Sequence, residues 1–177
     1  MKTKLIYTLI AVVTFGSFCT AQDIQKKAPL LSLESIPAYF PLKKKDFIGV
    51  SSMFGLRKHP ILHKTKMHSG IDLAAPKGTA VIATAAGVVE TSNFKVGYGN
   101  YITIHHLPNV KTVYAHLWIN LTKKGDVVSQ GQIIGIVGDT GLATGPHLHY
   151  EIHVNNKKID PLSIWKNVIK NHFKQKA

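Results

Sequence analysis

From Ile48 onward the chain breaks into short apolar-rich runs closed by turn residues, and this rhythm limits the fold more than any other feature. The runs are Ala80 to Ala83, Gly87 to Thr91, Asn100 to His106, Lys111 to Leu117, Val127-Val128, Gln132 to Val137 and His147 to Val154. Pro76-Lys77-Gly78, Gly97-Tyr98-Gly99, Pro108-Asn109, Lys124-Gly125-Asp126 and Gly138-Asp139-Thr140-Gly141 separate them, and such clusters favour turns. No stretch of helical length and period lies between the runs. That excludes a doubly wound α/β fold and predicts a mainly β, antiparallel sandwich or barrel-like domain. Gly78-Thr79-Ala80-Val81 leading to Gly87-Val88-Val89 is echoed by Gly125-Asp126-Val127-Val128 leading to Gly135-Ile136-Val137, as a duplicated β unit would be. One short helix is predicted at the C-terminal end. Asp160 suits an N-cap, Pro161 suits the first helical position, and Leu162, Trp165, Ile169 and Phe173 fall near one face.

At 177 residues and 45% hydrophobic content, the chain has room for one domain with appendages. Met1-Lys2-Thr3-Lys4 precedes an apolar run from Leu5 to Phe18, too short for a comfortable membrane span, and Cys19-Thr20-Ala21 offers small residues for a cut after Ala21. The pattern predicts a signal peptide over 1–21 and an exported protein, periplasmic or secreted, with no integral membrane segment once the signal is removed. A lipoprotein anchored through Cys19 is the lesser alternative, because Phe18 sits where such a signal needs a small residue. Cys19 is the only cysteine, so the exported domain would hold no disulfide. Residues 22–46, with Pro29, Pro37, Pro41 and Lys43-Lys44-Lys45, read as a linker or short pro-segment. The domain is expected over 47–163 and a helical tail over 164–177. The net charge of +13 permits an anionic partner, but no nucleic-acid-binding motif accompanies it.

Two motifs carry chemistry. His68 and Asp72 are four apart, and His147 and His149 are two apart. Same-parity residues share a face of a strand, so each pair is expected to project in one direction, and Gly70 argues against a helix at the first pair. Imidazole nitrogens and a carboxylate suit zinc, which in catalytic sites takes three protein ligands and leaves a fourth position open. His68, Asp72 and one of His147 or His149 would complete that set. The remaining histidine could handle protons.

The motifs, together with Ser51 to Pro60, Gly97-Tyr98-Gly99-Asn100, Thr112-Val113-Tyr114-Ala115-His116-Leu117 and Gly145 to Glu151, resemble the lysostaphin-type (LytM-type) zinc metalloendopeptidases, which cleave peptidoglycan. The resemblance runs from about Ser51 to Leu162. It implies one Zn2+ per chain held by His68, Asp72 and His149, with His116 and His147 as the catalytic histidines. It matches Tyr98 to a tyrosine beside the substrate, and His106 to a position that lines the groove. His105 should face the other way. Glu151 and His153 share parity with the motif histidines, so one of them could orient a ligand. Arg57 is expected to pair with a carboxylate in a structural role, and His59, His63 and His172 to lie on the surface. His63 stands where many relatives have glycine. Ala143 replaces a frequent serine. No asparagine lies between Gln22 and Met67, so the asparagine latch of some relatives is not expected. The resemblance leaves two further possibilities: a non-catalytic module that activates a cell-wall amidase, and an endopeptidase aimed at a competitor's wall or at other proteins.

Overall fold

The run from His147 to Val154 forms the centre of a ten-stranded antiparallel sheet in the computed structural model, which describes residues 35–58 and 63–166. The strands are β1 (Gly49–Ser52), β2 (Gly55–Lys58), β3 (Thr65–His68), β4 (Ile71–Ala74), β5 (Ala80–Ile82), β6 (Gly87–Lys95), β7 (Gly99–His105), β8 (Val110–Asn120), β9 (Val127–Val128), β10 (Ile133–Val137), β11 (His147–Val154) and β12 (Lys157–Ile159). The main path runs β1-β4-β11-β8-β7-β6-β9. β10 bridges β8 and β5, β12 flanks β11, and β2 with β3 forms a separate two-stranded sheet. The antiparallel, mainly β expectation holds. The sheet does not close into a barrel.

The internal echo has a structural counterpart. β5 pairs with β10, and β6 pairs with β9, so the two similar segments interlock crosswise. β6 runs on to Lys95, beyond the predicted end at Thr91. β1, β2 and β12 were not anticipated, because they are only three or four residues long and show no regular apolar alternation.

Alternation along β11 divides the molecule. Leu148, Tyr150 and Ile152 are fully buried and pack with Ile71 and Leu73 of β4 and with Ile102, Ile104, Tyr114 and Leu117 of the neighbouring strands. Burial of an aliphatic or aromatic side chain of this size contributes about 1.5–3 kcal/mol. The hydroxyls of Tyr114 and Tyr150 both meet Thr84 Oγ1 at 2.9 Å, which satisfies them inside the core. The predicted helix begins on schedule. Residues 161–166 (α1) are helical, and Asp160 Oδ1 accepts from the Leu162 N–H at 3.0 Å. Trp165 stacks on Tyr150, with ring centroids 5.6 Å apart, and meets Phe40 at 5.1 Å. Residues 35–46 also pack on this core: Leu42 is buried, and Pro41 O accepts from the Ile82 N–H.

The signal-peptide pattern and Cys19, residues 22–34 of the predicted linker, and Ile169, His172 and Phe173 of the predicted tail lie outside the described residues, as does His59. No helix among the described residues is long and apolar enough to cross a membrane.

Candidate metal centre

The other face of β11 carries His147, His149, Glu151 and His153, and the first two line an open groove. Antiparallel pairing of β11 with β4 sets His149 directly opposite Asp72. His68 arrives differently from the expectation that it shares a strand with Asp72. It ends β3 in the smaller sheet, and Ser69-Gly70 turns the chain before β4 begins. Gly70 is required at that corner: a Cβ there would meet Tyr150 O at 2.3 Å, Glu151 Cγ at 2.9 Å and His149 Cε1 at 3.0 Å.

Three donor atoms converge as a result. His68 Nε2 lies 3.1 Å from Asp72 Oδ1 and 3.1 Å from His149 Nδ1, and His149 Nδ1 lies 2.8 Å from Asp72 Oδ1. Tetrahedral zinc with bonds of about 2.0–2.1 Å needs donors about 3.3 Å apart, so the cluster fits a metal ion with little adjustment. The second nitrogen of each ring fixes the first. His68 Nδ1–H donates to Met53 O at 2.7 Å, and His149 Nε2–H donates to Glu151 Oε1 at 3.0 Å. Both lone pairs are thereby aimed at the same point, a common arrangement around bound metals.

The electrostatics favour a cation there. Burial alone would raise the Asp72 carboxyl, but hydrogen bonds from His149 and His68, and their charge, outweigh it and hold the group well below the carboxylate range. Burial opposes charge on His149, yet Asp72 and Glu151 overcome that and raise its affinity for a proton. The same field that draws a proton draws a metal ion. Asp72 Oδ2 is left for Arg57, whose guanidinium donates to it at 3.4 Å. The partner of Arg57 is thus the carboxylate of the metal cluster itself.

His116 and His147 line the same groove, with ring centroids 4.7 Å apart. β8 carries one residue more than β7 between the pairs Asn100↔Leu117 and Ile102↔Tyr114. At this bulge His116 takes a left-handed φ of 60°, which a non-glycine residue adopts only under constraint. The constraint is Thr140. Its carbonyl accepts from His116 Nδ1–H at 2.8 Å, and its hydroxyl donates to Leu117 O at 2.7 Å. Burial lowers the His116 imidazole to about 4, against the pull of the Thr140 carbonyl, so the ring is neutral at pH 7. His147 Nδ1–H donates to Gly145 O at 2.8 Å, and its Nε2 lies 3.7 Å from Asp72 Oδ1.

With this geometry established, comparison with known proteins is decisive. Residues 66–161 match the family described as Peptidase family M23. The chain belongs to Peptidase family M23. The M23 match has support on two further sides. The peptidoglycan DD-endopeptidase ShyC of Vibrio cholerae is 46% identical over 120 residues, covering 67% of this chain and 28% of ShyC. A zinc-containing peptidase from Vibrio cholerae is 40% identical with a TM-score of 0.64, over 68% of this chain and 37% of the other. The catalytic domain of the antimicrobial peptidase lysostaphin from Staphylococcus simulans is 32% identical with a TM-score of 0.61, over 67% of this chain and 92% of that domain. The chain spans less than a third of the length of the first curated relatives it matches.

Against the M23 frame, two expected site residues sit differently. Tyr98 does line the groove, but its hydroxyl donates to Glu151 Oε1 at 2.9 Å. Burial and the Glu151 charge push that phenol above its usual range, so it stays a donor. His106 does not reach the groove. It is buried beneath Gly87, its Nδ1–H donates to Ala86 O at 2.8 Å, and Thr112 Oγ1 meets its Nε2 at 2.7 Å. Both ring nitrogens are satisfied by the fold, which leaves none for a substrate. His105 is exposed on the opposite face, and His63 is exposed with a left-handed φ of 51°.

Glu151 matters more than parity alone suggested. Its fully buried carboxylate also accepts from Ser69, from His153 Nε2–H at 2.6 Å and from Lys158 at 3.3 Å. Thr140 was not anticipated at all. It stood in the sequence as part of a turn, and nothing local marks its carbonyl as the partner of a histidine 24 positions earlier.

Proposed function

We propose that the chain is an exported zinc endopeptidase that hydrolyses peptide bonds in peptidoglycan stem peptides or cross-links, with one zinc per chain. The observation that carries this reading is the convergence of His68, Asp72 and His149 beside His116 and His147 in one open groove of about 790 Å3. The wall-cleaving and zinc-containing relatives, and the signal-peptide pattern at the N-terminus, support substrate, metal and compartment.

His68 Nε2, Asp72 Oδ1 and His149 Nδ1 would hold the ion. Bound there, zinc supplies Lewis-acid polarisation of the scissile carbonyl and acidification of water. The protein's own residues do the rest. His116 presents a neutral ring whose Nδ1 is fixed by Thr140, so Nε2 is free to take a proton. His147, fixed through Gly145, offers a second imidazole on the same side. One can accept the proton of the attacking water at its Nε2 and, now an imidazolium, pass that proton to the leaving amine, while the other ring lies beside the developing oxyanion and can donate to it only in its protonated form. Arg57 and Glu151 keep Asp72 and His149 aimed. Tyr98, engaged by Glu151, serves the groove wall and reaches substrate only by releasing that bond.

The test is release of peptide fragments from purified cross-linked muropeptides, resolved by mass. Cleavage that stops with a chelator and in His116→Ala supports the proposal, and the masses identify the bond. An intact muropeptide pool after prolonged incubation with zinc-loaded protein contradicts it.

A further inference from the structure

Five basic side chains line the groove: Arg57 and Lys58 from β2, Lys66 from β3, Lys95 at the end of β6 and Lys158 from β12. Among the described residues the only carboxylate on the lining is Asp72, which His68, His149 and Arg57 already engage. Lys158 reaches Glu151. Among the described residues Lys58 and Lys66 form no ion pair, and Lys95 lies over the Tyr98 ring, 5.8 Å from its centroid.

The β2–β3 hairpin adds a second observation. Arg57 stands directly opposite Lys66 across the strands. Like charges in that position destabilise a hairpin, and Asp72 offsets only the Arg57 side of the pair. Met67, Val96 and Leu142 expose apolar surface on the same lining. The groove therefore suits a ligand with aliphatic arms and more than one negative charge, since the described residues place five basic side chains on its lining against the single carboxylate of Asp72.

We propose that the groove selects stem peptides with free carboxylates near the scissile bond over amidated or uncharged versions of the same peptide, and that Lys58, Lys66 and Lys95 read those carboxylates. This rests on the peptidoglycan reading above and names the chemistry that the site prefers.

Two synthetic cross-linked stem peptides test it, identical except that the side-chain carboxyls are free in one and carboxamides in the other. Each is titrated calorimetrically into the zinc-loaded full chain carrying His116→Ala. The free acid is expected to bind about tenfold more tightly at low salt, an advantage that shrinks near ~0.5 M salt as screening shortens the reach of the lysines. Lys58→Gln with Lys66→Gln should bring the free acid down to the affinity of the amide. Both lysines are exposed, so the pair of substitutions leaves the fold intact. Equal affinities, equal loss for both peptides in the double variant, or no binding of either peptide overturns the proposal. Cleavage by the unsubstituted chain reads the peptidase proposal separately. Cleavage of both peptides with equal binding defeats only the charge selection, whereas charge-selective binding without cleavage defeats only the peptidase.

Discussion

His106, just beyond β7, and His116, in the middle of β8, occupy beds that are chemically almost alike. Each is buried, each donates Nδ1–H to a backbone carbonyl at 2.8 Å, and burial lowers each imidazole to about 4. The difference lies at the other nitrogen. Thr112 meets Nε2 of His106, whereas Nε2 of His116 has no partner among the described residues and its ring lines the groove. The backbone differs as well, since His116 is held at a left-handed φ by the bulge in β8. Burial and a depressed pKa thus do not mark a catalytic histidine. What sets His116 apart is an unshared nitrogen in the groove on a constrained backbone, and the catalytic role proposed for it rests on that difference.

The largest expected break in this pair comes from alanine. His116→Ala should lower kcat/KM on muropeptides by about 10²–10⁴-fold per folded molecule, because a proton-handling group is lost from the groove. His106→Ala should do the reverse. Turnover per folded molecule stays, while stability falls by about 2–3 kcal/mol, since Ala86 O and Thr112 lose a buried partner and a cavity opens. Activity assays alongside thermal melts check both, and a His106→Ala enzyme that is stable but slow would restore His106 to the groove.

The metal cluster gives the next effects. Gly70→Ala forces a Cβ toward Tyr150 O at 2.3 Å, so β4 and β11 must part where His149 and Asp72 face each other. A destabilisation of about 2 kcal/mol or more is expected, together with loss of metal, measurable by denaturant titration and elemental analysis. Glu151→Gln keeps the shape but removes the charge that His149 leans on. Metal affinity should drop about 10–100-fold in competition with a chromophoric chelator, and unchanged affinity would show that His149 is aimed by packing alone.

The last effect is in the pH dependence of stability, spread over a wide pH range. His106 sits at about 4 in the folded chain against an ordinary value of 6.5. Its lowered pKa means that the unfolded chain binds the proton more readily. The stability tied to neutral His106 is therefore complete above pH 6.5 and declines as pH falls from there toward 4. The decline should total on the order of 3 kcal/mol. Subtracting the pH profile of His106→Gln from that of the parent chain isolates it, and superimposable profiles would contradict the burial argument.

Much of this was legible in the sequence, and the illegible part has a common cause. Alternation along His147 to Val154 showed which residues enter the core and which face the groove, because a strand's period is local. The turn clusters located most strand ends for the same reason. His68 could be named as a candidate ligand from its spacing to Asp72, but its place on a different sheet from Asp72 depends on the corner at Ser69-Gly70, a property of packing against β11. Glu151 had the right parity, yet its weight comes from Ser69, Tyr98, His153 and Lys158, which only the folded chain gathers around it. The tether of Thr140 to His116, and the pairing of Arg57 with Asp72, join loops and strands whose proximity no local pattern encodes.

The central claim is that one ion, held by His68, Asp72 and His149, serves the chemistry at His116 and His147. Its most direct test is a titration of metal-free protein with zinc, following bound metal and muropeptide cleavage on the same samples. Activity should rise in proportion to bound zinc and level off at one ion per chain, and His149→Ala should show neither tight binding nor cleavage. Cleavage by the metal-free chain, or tight stoichiometric zinc that survives His149→Ala, would contradict it.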